Sequence, residues 1–205
     1  MSNRTRSLGV AIAVMLLLGA PRARADFFEI TKPGLAYLAA TTYLPITAPA
    51  KTYIDSLGDG MVRVNFLSPV TGEAMPLWVL EPREGAWGNP PTVESPTPKV
   101  LWAAPLDPEW NTYDTAVALS FVLQGSMSTF GFEAMANDFV SHNVTATFYR
   151  GDTVVGSITR TTGGDLGARL FAASTDHLPF TRVTVTADMD LAITQFRYLG
   201  PAPVL

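Results

Sequence analysis

The chain predicts an all-β domain, an antiparallel β-sandwich of jelly-roll type, and three observations predict it. Short segments rich in Val, Thr, Phe and Tyr alternate apolar with polar residues, the period of a strand with one buried face. Clusters of Gly, Pro, Asn and Asp punctuate these segments at intervals of about 8 to 12 residues, the spacing of a sandwich or barrel. Helical patterning is confined to Asp26 to Ala40, where Pro33-Gly34 interrupts it.

Residues 1–25 are read apart from the fold. Arg4 and Arg6 precede an apolar run from Leu8 to Ala20, and Ala23-Arg24-Ala25 offers small residues at a cleavage position before Asp26. That order is a secretory signal peptide, because the run falls short of the roughly 20 residues a membrane span needs. The expectation is a secreted, extracellular mature chain, one domain over residues 26–205, with no membrane attachment after cleavage.

The elements follow in order. Met61 to Leu67 reads as a strand after the loop Asp55 to Gly60. Pro76 to Trp110 holds eight of the 16 prolines and all four tryptophans. Proline at that density prevents long central strands, so the stretch reads as a long loop wrapping the sandwich edge, with short strands near Trp78 and Trp102. Thr115 to Leu123 puts Val117, Leu119, Phe121 and Leu123 on one face. Gln124-Gly125-Ser126 reads as a turn into Ser128 to Glu133. Asn143 to Tyr149 sets Val144, Ala146 and Phe148 against Thr145, Thr147 and Tyr149. Arg150-Gly151-Asp152 is a hairpin turn into Thr153 to Arg160, since Gly-Asp suits a tight turn better than it argues for an integrin tripeptide. Gly163-Gly164-Asp165 turns the chain into Leu166 to Ala173. Thr181 to Ala187 alternates again, and Leu191 to Leu199 closes the domain.

Composition excludes several function classes. After cleavage, ten Lys and Arg face 18 Asp and Glu, a formal charge of −8 against −4 for the whole chain. That balance offers no basic footprint for nucleic acid or an anionic membrane. Cysteine is absent, which removes disulfides, thiol nucleophiles and thiolate metal sites. A chain of this length buries about 70% of its unfolded surface, enough for a core without staples.

The strings TFGFEAMANDF (residues 129–139), TATFYRGDTVVGSITR (145–160) and GARLFAASTDHLPFTRVTVTADMDLAITQFRYL (167–199) together resemble a domain of exported bacterial proteins, many of which carry a PEP-CTERM sorting tail. The upstream DSLGDGMVRVNFLSPV fits the same pattern more loosely. The resemblance implies an exported β-sandwich linked to the extracellular matrix. The chain shows no Pro-Glu-Pro box, no C-terminal apolar helix and no terminal Arg cluster, so the expectation is release rather than sorting. The resemblance transfers no catalytic residues.

Candidate ligand-binding residues come from two sources. Trp78, Trp87, Trp102 and Trp110 could stack on sugar rings if exposed, or plug the sandwich if buried. Glu133, Arg169 and Arg197 are lone charges inside apolar strands, expensive unless paired or wet. Two solutions present themselves: a Glu133–Arg ion pair across neighbouring strands, or a polar ligand cleft. A hydrolase or lyase would need Glu133 to face Glu109 or Asp114 at about 5 to 9 Å. Asp107, Glu109 and Asn111, with Asp114 behind, alternate like calcium ligands, but Thr112 stands where an EF-type loop needs Gly. Asp55 and Asp59 form another oxygen-rich loop, read as a solvated turn. His142 and His177 lack both the G-x-S-x-G elbow and the H-E-x-x-H spacing. No cofactor, metal or catalytic residue is therefore expected. The leading reading is a non-catalytic protein that binds or organises extracellular polysaccharide or matrix. A carboxylate-pair enzyme and a purely structural surface protein stand beside it.

Overall fold

The computed structural model describes residues 27–81, 87–103, 117–136, 140–163, 166–176 and 178–200. In chain order the elements are β1 (Phe28–Ile30), α1 (Leu35–Ala40), β2 (Thr42–Leu44), β3 (Tyr53–Ile54), β4 (Ser56–Gly58), β5 (Arg63–Leu67), β6 (Leu77–Leu80), β7 (Val100–Ala103), β8 (Val117–Met127), β9 (Thr129–Ala136), β10 (His142–Arg150), β11 (Thr153–Thr162), β12 (Arg169–Ser174), β13 (Phe180–Ala187) and β14 (Leu191–Leu199).

Strands β7 to β14 form the jelly roll. They pair antiparallel as a nested ladder: β7 with β14, β8 with β13, β9 with β12, β10 with β11. Cross-pairing of β14 with β9 and of β13 with β10 rolls the ladder into two sheets. The N-terminal third widens both. Strands β6 and β3 extend the first sheet beyond β7, β1 borders β12, and β2 lies along β14, giving eight strands among the described residues. Strands β5 and β4 extend the second beyond β8, giving six. The expected antiparallel sandwich is the fold.

The alternation read from sequence decides what faces inward. Val117, Leu119, Phe121 and Leu123, with Val144, Ala146, Phe148, Val183 and Val185, all lie in the core between the sheets. Phe121 sits at its centre, with the rings of Phe66, Phe130, Phe132 and Phe196 at centroid distances of 5.9, 6.2, 5.0 and 5.4 Å. Edge-to-face packing at that range suits aromatic quadrupoles. Phe27 closes one open edge: its ring lies 5.4 Å from Phe148 and 6.4 Å from Phe180, over Gly156. A Cβ on Gly156 would come within 2.4 Å of that ring.

Three local expectations are corrected. Gln124-Gly125-Ser126 is not a turn. Gly125, at φ 102, bulges a strand that continues to Met127, and the chain changes sheets at Ser128. The stretch around Asp55 to Gly60 includes β4. Residues 87–99 do not wrap the edge; Trp87 and Val93 are buried over the outer face of the eight-stranded sheet, against Val100, Ala168 and Ala192. The expected signal peptide, Trp110, Asp107, Glu109, Asn111, Asp114, the Gly164-Asp165 half of one turn and His177 lie outside the described residues.

Candidate functional site

The outer face of the eight-stranded sheet carries two groups of candidate side chains. The first is an aromatic row. Tyr53 on β3, Trp78 on β6 and Trp102 on β7 stand directly opposite one another in the ladder. Their strand neighbours Leu77, Val79, Leu101 and Ala103 fill the core, so the strand period sends the three rings outward. Tyr53 is 53% exposed, and its ring centroid lies 4.5 Å from that of Trp78, tilted by 57°. Trp78 and Trp102 are half-buried. The Trp102 indole is fixed by its Nε1, which donates to Asp190 Oδ2 at 2.6 Å. The row ends at Ala192, opposite Trp102 on β14 and buried with Trp87 and Val93 of the covering loop.

The second group is buried beside it. A bulge at Gln195, with φ 52, shifts the register of β14 between Thr194 and Arg197. Ile193 and Phe196 both face the core as a result, and Arg197 is turned to the outer face, opposite Gly131 of β9. Glu133 stands two residues along β9 on the same face, with no solvent exposure. Its Oε2 accepts a 2.7 Å bond from Trp87 Nε1, and its Oε1 accepts a 2.6 Å bond from the Glu94 backbone N–H. Burial pushes the Glu133 carboxyl up to about 7; these two bonds and the Arg197 charge pull the other way, and the Glu94 charge adds to the rise.

Arg197 does not pair with Glu133. Its fork binds Glu94 bidentately, Nε to Oε2 at 2.7 Å and Nη2 to Oε1 at 2.5 Å. Its Nη1 also donates to the carbonyls of Thr41 at 3.1 Å and Leu38 at 3.3 Å, and its guanidinium lies 5.5 Å from the Tyr43 ring centroid. The expected Glu133–Arg pair is corrected accordingly: the acid is held by the loop, and the arginine takes the loop's own carboxylate. Tyr37 of α1 completes the group. Burial raises its phenol far above the ordinary value, and its hydroxyl is buried without a hydrogen-bond partner.

The remaining candidates fall elsewhere. Arg169 starts β12 opposite Ala134, and its guanidinium donates to the Leu166 and Ala168 carbonyls. His142 Nδ1 lies 2.9 Å from Asp188 Oδ1. Asp59 closes its own turn, accepting from the Met61 and Val62 amides, and a 2.6 Å bond from the Tyr198 hydroxyl holds its carboxyl below the usual range. Among the described residues no group of three or more His, Asp or Glu is placed to hold a metal ion. Nor is any described helix long and apolar enough to cross a membrane.

Sequence reading thus found Trp78 and Trp102 of the row, and Trp87, Glu133 and Arg197 of the buried group. It missed Tyr53, Tyr37 and Glu94. Tyr53 sits in a two-residue strand too short for a period, and Glu94 lies in a proline-rich segment with no pattern to mark it.

No family model matches the chain, and no curated protein matches it. Among solved structures, the chain is similar to a family 29 carbohydrate-binding module from Piromyces equi, at 13% identity and a TM-score of 0.32, over 78% of this chain and 90% of that one. At that distance the likeness assigns no role to any residue.

Proposed function

We propose that this is an exported, non-catalytic β-sandwich that binds extracellular polysaccharide on the outer face of its eight-stranded sheet. One observation carries the reading: Tyr53, Trp78 and Trp102 form an outward aromatic row held by register and by the Asp190 bond. Aromatic faces stack on the C–H faces of sugar rings, and a ring pre-set by its neighbours loses little entropy on binding. Polar groups stand at the end of the same strand pair, where the Lys99 and Glu81 side chains lie 3.5 Å apart. Asp190, with no solvent exposure, holds the Trp102 ring rather than a ligand. Glu133 supports the non-catalytic part. A fully buried acid under Trp87 has no approach to a polymer, so it serves the loop rather than a reaction.

The test is affinity electrophoresis of the protein through a panel of soluble polysaccharides, followed by calorimetry on whichever retards it. Trp102→Ala and Trp78→Ala should each weaken binding by about tenfold, equal to ~1.4 kcal/mol. Trp87→Phe should leave affinity unchanged. Retardation by no polysaccharide, or equal binding by the Trp102 variant, would sink the reading.

A further inference from the structure

The opposite face of the molecule carries hydroxyls in place of rings. On the six-stranded sheet, Val144, Ala146, Ile158, Val183 and Val185 turn inward. The residues between them stand outward in two rows across three strands. Thr159, Thr145 and Thr186 form one row, and Ser157, Thr147 and Thr184 form the next. The register of β11, β10 and β13 runs through both rows without a shift; the irregularities fall beyond Phe148 and before Arg182.

We propose that this array is an ice-binding face. Its repeats are those of the sheet, about 4.8 Å from strand to strand and about 6.8 Å between alternate residues. These lie close to the oxygen repeats on the prism faces of ice. Threonine sets a methyl beside its hydroxyl on a stiff χ1, so the methyl orders water and the hydroxyl anchors it. The hydroxyls are already fixed: Thr145 Oγ1 lies 2.9 Å from Thr159 Oγ1, and Thr147 Oγ1 lies 2.9 Å from Ser157 Oγ. None of the six residues is charged, so no tightly held hydration shell competes with the lattice. Charge begins one row further on, where Arg182 stacks 4.3 Å from the Tyr149 ring centroid.

Other occupants fit less well. A sugar surface wants an aromatic platform, which the six positions lack. A protein partner wants a desolvated apolar or aromatic anchor at the centre of the contact, and the centre here is hydroxyl. Size limits the effect. Adjacent strands twist by roughly 20 to 25°, so the lattice match decays across three strands. The expected activity is faceting of ice and slowed recrystallisation, with a small depression of the freezing point.

The full chain after export, fluorescently labelled, is offered to a growing single ice crystal and to a recrystallisation assay at micromolar concentration. Uptake into the ice with slowed grain growth is expected. Thr147→Lys, at the middle of a row, should cut both at least tenfold, while Trp102→Ala on the far face changes neither. Should the Thr147 variant lose its fold by circular dichroism, Thr159→Lys on the exposed strand β11 replaces it, with the same expected loss. Exclusion of the wild-type chain from ice would overturn the proposal. So would uptake unaffected by the lysine. The two faces are independent, so failure here leaves the polysaccharide reading standing, and the reverse holds.

Discussion

Glu133 shows how one residue can be found in the sequence and its partner not. An acid in the apolar run STFGFE cannot sit in a core face uncompensated, so a partner is required, and reading along the strands suggests an arginine. The partner is instead an indole and a backbone amide from a loop, groups that no pattern within the strands could reveal. The consequence is a defined pH dependence. The folded chain holds the Glu133 proton up to about pH 7, whereas the unfolded chain releases it near 4.5. Between those values the folded state binds more protons, so stability falls as pH rises through the window, by up to roughly 3 kcal/mol. Urea denaturation at pH 5, 6, 7 and 8 measures it; Glu133→Gln should flatten that part of the profile, and a wild-type profile with no fall would show that the carboxyl is not raised. Arg197 offers a second comparison. Arg197→Met strands the partly buried Glu94 carboxylate and should cost about 2 to 3 kcal/mol. Arg169→Met removes only bonds to two nearby carbonyls and should cost under about 1 kcal/mol in the same denaturation series.

Strands long enough to show their period were legible, and short ones were not. Leu191 to Leu199 was read with the bounds it has, and Asn143 to Tyr149 lies inside β10. Strands of two or three residues, β2, β3 and β4, carry too few positions to alternate. The β14 bulge was written in the sequence as a change of phase: Leu191 and Ile193 keep one parity, Phe196 and Tyr198 the other, and only an extra residue between them lets all four face inward. That phase change places Arg197 on the outer face, which strict alternation would have denied it. The helix is anchored at an equally specific point. Gly131 of β9 leaves room for the Tyr37 hydroxyl; a Cβ there would stand 2.5 Å from that oxygen and 2.4 Å from the Ala172 Cβ. Gly131→Ala should force α1 off the sheet and cost about 1 to 3 kcal/mol, seen as a lowered thermal midpoint. An unchanged midpoint would mean that α1 is not seated there.

Over the whole molecule, fold class was legible because it depends on period and punctuation, both local. The nested pairing of β7 to β14 was legible only as a type, since which strand meets which is decided by contacts far apart in the chain. The site divided for the same reason. Four tryptophans in one segment looked like a cluster, yet strand register sends Trp78 and Trp102 outward in the ladder while the loop buries Trp87 beside Glu133. The two outer faces then differ in kind, aromatic on one and hydroxyl on the other, with the phenylalanine core between them. A chain carrying both Trp102→Ala and Thr147→Lys should therefore show the two losses independently, with additive effects on stability.

The pairing of β1 with β12 sets the order in which this molecule can be completed. Phe28 faces Ser174, and Phe27 rests on Gly156, so the earliest part of the sandwich has no partner until most of the sequence has followed it. Whether it leaves a ribosome or a translocation pore, a chain delivered from its N-terminus must carry its first strand unpaired and its first aromatic ring uncovered. The segment made first waits on a late strand, and until β12 follows it that segment stays open to any holding factor that escorts the nascent chain.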